Sequence, residues 1–171
     1  HGGGPGKDAL DAGGDALSAY LKERYVVDVL REHPDAALTA QVLVDRLKAL
    51  PPRLYSVANS PKVTPDRVDF VVETLRYDRC GRPCEGVAGV WLADRVGVDG
   101  IVPLYLAPND QFRLPADDVD IIMVGPGTGI APFRAFLQER EATGASGRSW
   151  LFFGHQHEAT DFLYGDELRA W

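Results

Sequence analysis

The sequence predicts a mixed fold: a helical lead-in, an antiparallel β region, and the first half of a parallel α/β sheet. Three observations carry this reading. Apolar residues recur at helical spacing ahead of the proline pair Pro51-Pro52. Residues 66–77, "DRVDFVVETLRY", are rich in β-branched and aromatic residues and lie between turn-forming "SPKVTPD" and "DRCGRP". From 119 to 154 an apolar run, a helical segment and a second apolar run follow in order. That β-α-β order makes the two strands parallel.

Each element has its own signal. "HGGGPGKDALDAGG" is a Gly-rich leader, expected to be flexible. Leu17, Tyr20, Leu21 and Tyr25 lie at offsets of three, four and eight, which predicts a helix over 15–32 that Pro34 stops. Thr39 is the expected N-cap of a second helix, with Leu43, Leu47 and Leu50 on one face. "GIVPLYLA" (100–107) and "NDQFRLP" (109–115) read as further strands. "VDIIMVG" (119–125) and "SWLFFG" (149–154) read as strands buried on both faces. Between them Phe133, Phe136, Leu137 and Arg140 mark a helix with Pro132 in its first turn. "DFLYGDELRAW" begins another helix. The chain opens on His1 rather than Met and closes inside that helix, so it is expected to be part of something longer.

Composition narrows the function. The 171 residues are 45% hydrophobic and 25% charged, as in an ordinary globular protein. A net charge of −7, with no run of four Lys or Arg, argues against a nucleic-acid or anionic-membrane partner. No apolar stretch approaches the ~20 residues of a membrane helix, and a cytoplasmic location is expected. Cys80 and Cys84 stand one residue too far apart for the C-x-x-C pattern and are expected to be reduced surface thiols. His155 and His157 in "GHQHE" have no evident third ligand, and metal is not expected.

"GPGTGIAP" (125–132) is the strongest chemical signal. It follows a strand and opens a helix, where Gly125, Gly127 and Gly129 let the backbone come close and helix amides face an anion. The spacing matches neither G-x-G-x-x-G nor the P-loop. A tight strand–helix turn without a ligand is the competing reading. "GVAG" (86–89), ahead of "VWLADRV", is a second glycine-bearing turn at a helix start. In "RLYS" (53–56), Arg53 and Tyr55 share one face of an extended segment, and Leu54 and Ser56 the other. A cation, a ring and a hydroxyl so placed suit a phosphate and a flat heterocycle. An edge strand with an ordinary core tyrosine would look the same. Two anion sites suit a protein that holds two dinucleotides.

In this order, "PRLYSVANSP", "GVAGVWLADR", "NDQFRLP", "GPGTGIAPFRAFLQER" and "FFGHQHEATDFLYGDEL" resemble the ferredoxin-NADP reductase superfamily, in its diflavin reductase branch, over about residues 15–171. "RYD", "LADRV" and "WLFFG" are closer to reductases that feed a sulfite-reducing haemoprotein than to cytochrome P450 reductase or nitric oxide synthase. The resemblance implies a leader and helical connecting segment at 1–50, part of an antiparallel FAD-binding β-barrel at 51–116, and the N-terminal half of an NADP-binding α/β domain at 117–171. It implies hydride transfer from NADPH to FAD and onward passage through FMN, held in a domain outside this chain, to a haemoprotein acceptor. This piece alone is expected to be inactive.

The implied site residues follow the matching motifs. Arg53, Leu54, Tyr55 and Ser56 take the FAD pyrophosphate and isoalloxazine, with Ser56 near flavin N5 as the catalytic hydroxyl. Val71, Val72 and Glu73 run along the flavin, and Tyr77 packs on FAD. Gly86, Val87, Ala88 and Gly89 lie beneath the FAD pyrophosphate; Gly127 and Thr128 hold that of NADPH. Gly89 stands where the family pattern has Ser or Thr. A reductase for another haem acceptor, or a truncated non-catalytic nucleotide-binding module, are the alternatives.

Overall fold

The computed structural model describes residues 4–171. They form two units, one of the residues up to Pro52 with Thr74–Arg95, the other of Arg53–Glu73 with Val96–Trp171.

The first unit begins with helices where a flexible leader is expected. α1 (Pro5–Ala12) has a proline in its first turn, and α2 (Gly14–Lys22) follows after Gly13. Gly6 is buried because a Cβ there would lie 2.3 Å from the His33 ring and 2.7 Å from the Tyr20 hydroxyl. Residues 1–3 of that leader lie outside the described residues. The single helix expected over 15–32 is divided into α2 and α3 (Val26–Glu32). Tyr25 turns extended at the break, and the Asp28 carboxylate takes its N–H at 2.8 Å. α4 (Ala40–Arg46) starts at Thr39, whose hydroxyl accepts from Val42 N at 3.3 Å. It ends before Leu47, so Leu50 stays 70% exposed instead of completing an apolar face.

β1 (Arg76–Arg79) and β2 (Arg82–Glu85) form an antiparallel hairpin with Arg79 opposite Arg82. Cys80 and Gly81 make the turn at φ +50° and +69°, the left-handed pair that two-residue hairpins favour. Cys84, opposite Tyr77, is buried rather than a surface thiol; Cys80 is exposed, and both are free. α5 (Val87–Asp94) completes the unit.

Polar side chains join its helices to its hairpin. Arg82 Nε donates to Asp28 at 2.9 Å, and Asp28 is only 5% exposed. Arg79 donates to the Lys22 and Glu23 carbonyls at the end of α2. The Tyr20 hydroxyl and Arg24 converge on Glu32, at 2.6 and 2.9 Å.

In the second unit, β3 (Ile121–Val124) pairs in parallel with β4 (Ser149–Phe152), joined through a 3₁₀ turn (Gly127–Ile130) and α6 (Ala131–Thr143). Gly144, in the left-handed conformation, ends α6. α7 (Glu158–Asp161) and α8 (Gly165–Ala170) divide the helix expected after residue 160, with Tyr164 left-handed between them. The strands are not buried on both faces. Met123 is 2% exposed, but Ile122, Val124, Trp150 and Phe152 are 51–74% exposed, because a two-stranded sheet here covers one face only.

The expected antiparallel strands are largely absent among the described residues, and no closed barrel forms there. Residues 66–75 contribute one bridge, Phe70 with Val57. Residues 100–108 form no strand, and Pro103 and Pro108 remove donors there. Residues 109–112 form a turn, with Gln111 N donating to the Asn109 side chain at 3.2 Å. A strand exists only by pairing, and these segments find no ladder partner here.

The Arg82 and Tyr25 hydrogen bonds hold the Asp28 carboxyl below the usual carboxylate range; those from Tyr20 and Arg24 do the same for Glu32. A carboxyl lowered by folding stabilises fully above its unfolded value, near pH 4, and that stabilisation is lost as pH falls through the folded value. Asp28→Asn is therefore expected to lower the thermal midpoint at pH 7 and to flatten its decline below about pH 4. Thermal melts of both proteins across pH 2–7 test this.

Candidate functional site

In the second unit, strand pairing runs on into the glycine turn. Gly125 N donates to Phe152 O at 2.9 Å, and Gly127 N to Gly154 O at 3.0 Å. Gly127 has φ +54°, where a side chain would strain the backbone. Gly125 meets a different constraint. A Cβ there would stand 2.7 Å from the Phe133 ring and 2.8 Å from the Gly129 carbonyl. Gly129 needs no such space, since its nearest neighbour would be Pro126 Cδ at 3.8 Å. Ile130 is fully buried and anchors the turn, while Thr128 is exposed beside it. No side chain caps the 3₁₀ turn at Pro126.

His155 lies across from this turn: a Cβ on Gly127 would be 3.6 Å from its ring. Its Nδ1 accepts from Gln156 N at 2.8 Å and is 3.0 Å from Asp161 Oδ2. The imidazole is thus committed on its Nδ1 side.

The Arg53–Ser56 segment is in the same unit. It carries no helix or strand and ends on the Val57–Phe70 bridge, with Ala58 N donating to Asp69 O at 2.7 Å. Tyr55 stacks on Phe70 at 5.5 Å and 25°, yet keeps 37% of its surface exposed. Leu54 is 73% exposed, and Arg53 and Ser56 are exposed too. Val71 and Val72 are half-buried, and Glu73 is exposed.

The first unit holds the other predicted residues. The Tyr77 hydroxyl, on β1, shares a hydrogen bond with that of Tyr25. That bond raises Tyr77 and lowers Tyr25, on whose ring Arg79 sits at 4.4 Å. Of the expected turn 86–89, only Gly86 lies outside the helix. Val87, Ala88 and Gly89 form the first turn of α5. Gly86 N donates to Leu75 O at 2.8 Å, and no side chain caps α5, so none competes for its leading amides. Gly89 is buried and does not take positive φ.

The donor sets fit dinucleotides: an uncapped helix start in one unit, and a left-handed glycine turn, an arginine, a half-exposed ring and a hydroxyl in the other. Residues 15–91 match the FAD binding domain, and residues 123–171 match the oxidoreductase NAD-binding domain. The chain joins FAD-binding and NAD-binding oxidoreductase domains of the ferredoxin-NADP reductase type. The sulfite reductase [NADPH] flavoprotein alpha-component of Bacillus subtilis is 45% identical over 156 residues, 91% of this chain and 26% of that protein. Its counterpart in Yersinia enterocolitica is 50% identical over 164 residues, and that in Mannheimia succiniciproducens 49%; each match covers 95% of this chain and 27% of the relative. The chain thus spans about a quarter of the length of these curated relatives.

Arg134 and Gln138 of α6 carry contacts that no sequence motif marked. Arg134 Nη1 donates to Ala58 O at 2.7 Å, and Gln138 Oε1 accepts from Ser60 N at 2.9 Å. Gln138 and Arg140 are 6% and 4% exposed. The i, i+4 spacing of Arg134 and Gln138 was the available signal, but it is also that of a solvated helix face.

Gly125→Ala is expected to lower the unfolding free energy by about 1–3 kcal/mol, the cost of forcing a methyl into a packed site. Chemical denaturation measures it, and an unchanged midpoint would contradict the close approach.

Proposed function

We infer that this chain supplies the FAD-side and NADPH-side binding elements of an NADPH-dependent flavoprotein reductase. The observation that carries this reading is the presence, in one unit, of both the left-handed Gly127 turn and the segment that presents Tyr55 and Ser56. The functional division is 1–50 as leader and connecting segment, 51–116 on the FAD side and 117–171 on the NADP side. The whole protein passes electrons through FMN to a haemoprotein acceptor, and the names of its relatives favour a sulfite reductase. A cytoplasmic location goes with this role; among the described residues no helix is long and apolar enough to cross a membrane.

When bound, the flavin supplies the chemistry, accepting a hydride from NADPH and releasing electrons singly. The chain's residues bind and orient. Arg53 sets a guanidinium against the FAD pyrophosphate. Tyr55, backed by Phe70, covers the isoalloxazine. Leu54, Val71, Val72 and Glu73 line the flavin. Ser56 would offer its hydroxyl to the flavin near N5. In the first unit, Tyr77 packs on FAD, and Gly86, Val87, Ala88 and Gly89 offer backbone amides to its pyrophosphate. Gly127 and Thr128 do the same for NADPH.

Ser56→Ala in the full-length reductase is expected to slow flavin reduction by roughly tenfold or more, with FAD content nearly unchanged. Stopped-flow bleaching of the flavin measures it; reduction at the wild-type rate removes Ser56 from the mechanism.

Gly89 lacks the hydroxyl of the family pattern, and its helical backbone leaves no positive-φ penalty for a side chain. A hydroxyl bonded to a charged phosphate contributes roughly 1.5–3 kcal/mol. Gly89→Ser is therefore expected to tighten FAD binding about tenfold or more. Titration of the apo-protein with FAD decides it, and equal or weaker binding in both Ser and Thr variants rules the missing donor out.

A further inference from the structure

α6 holds the segment that follows Ser56 by directional bonds to its backbone. Arg134 takes the Ala58 carbonyl at 2.7 Å, and Gln138 takes the Ser60 N–H at 2.9 Å. Glu139 accepts from the Ser60 hydroxyl and from Lys62. Ala58, Asn59 and Ser60 are each at most 3% exposed, so the Ser60–Gln138 bond is sheltered from water, while the Lys62–Glu139 pair stays at the surface. Asn59 fastens the segment to itself, donating to Arg67 O at 2.9 Å and accepting from Asp69 N at 2.6 Å. The α6 side chains are braced in turn. Glu167 of α8 accepts from Arg134 at 2.7 Å and from Gln138 at 3.0 Å.

The placement has a functional sense. The N-terminus of α6 is continuous with the Gly127–Ile130 turn, and its next two turns hold residues 58–60. Ser56 lies two residues before Ala58. One helix therefore carries the NADPH-side turn at its head and grips the flavin-side segment along its flank. Apolar packing tolerates sliding, whereas buried, mutually satisfied polar bonds select one register.

We propose that Arg134, Gln138 and Glu139 are positioning residues for hydride transfer, fixing the Arg53–Ser56 segment against the Gly127–Thr128 turn. This rests on the NADPH-to-FAD reading above. A misplacement of about 1 Å far from the chemistry can cost around 10²-fold in rate. The effect falls on the reduction step and leaves each cofactor's own contacts in place.

The test uses the full-length, FAD-loaded reductase. Gln138→Met keeps side-chain length and removes both hydrogen bonds; Ser60→Ala is a milder second variant that removes the bond to Glu139. Arg140→Lys is the control. It disturbs the far end of the same helix, where Arg140 Nη2 holds the Val119 and Gly147 carbonyls. Thermal midpoint, FAD content, KM for NADPH and the limiting rate of flavin reduction are measured for each. Gln138→Met is expected to lose about tenfold or more in limiting rate, and Ser60→Ala a smaller factor in the same direction, with KM and FAD content within about twofold. Arg140→Lys is expected to keep its rate at a comparable loss of thermal midpoint. Wild-type rates in both Gln138→Met and Ser60→Ala overturn the proposal, as does an equal slowing in Arg140→Lys. If Gln138→Met fails to fold, Ser60→Ala decides alone. A wild-type protein that holds FAD but is not reduced by NADPH is a separate result; it overturns the underlying reading and this proposal with it.

Discussion

The second unit depends on a hydrogen bond between a backbone amide and a side-chain amide, Ser60 N–H to Gln138. Both residues are buried, and an unmet donor there would carry its full desolvation cost. The sheet pairing of the segment around it amounts to one bridge, and side-chain bonds from Arg134 and Asn59 do the rest. α6 supplies what a neighbouring strand would have supplied. On another part of its surface Phe133 and Phe136 pack with Phe112, at 5.9 and 5.4 Å. The same helix thus holds two stretches with little or no sheet pairing, one through polar bonds and one through rings.

The first unit meets a similar shortage of apolar core with charge. Its buried hydrophobic side chains are few: Tyr20, Cys84 and Val90 among the described residues. Arg79 caps the carbonyl end of α2, where the helix dipole favours a cation. Arg82 pairs with Asp28, which also caps α3. Asp28 therefore serves a local need, closing the first turn of a helix, and a non-local one, anchoring a hairpin. The link from sequence to packing here runs through guanidinium groups whose forked donors reach carboxylate and carbonyl together.

What could be read from the sequence was local. Thr39 as an N-cap, Pro132 in a first turn, the β3–α6–β4 order and the Gly127 turn all depend on neighbours in the chain, and all are present. The strands expected over 66–77 and 100–115 depend on partners far along the chain, and Val71 or Leu104 has the same β propensity whether or not a ladder forms. The leader misled in the opposite sense. Its glycines suggest freedom, but Gly6 is small because His33 and Tyr20 crowd it. At the candidate site the glycines, Tyr55 and Ser56 were visible as motifs. Gln138 and Glu139 were not, because in one dimension a buried polar grip and a solvated helix face have the same spacing.

The uncovered face of the two-stranded sheet has an optical consequence. Trp150 stacks on Phe152 at 5.8 Å with its rings 10° from parallel, opposite Ile122 in register, and remains 65% exposed. An excited indole in contact with water relaxes that water and emits at longer wavelength than one in an apolar enclosure, and dissolved quenchers reach it freely. Whatever covers this face, whether further protein or a neighbouring molecule, withdraws Trp150 from both. The sheet thus carries an intrinsic fluorescent gauge of its own coverage.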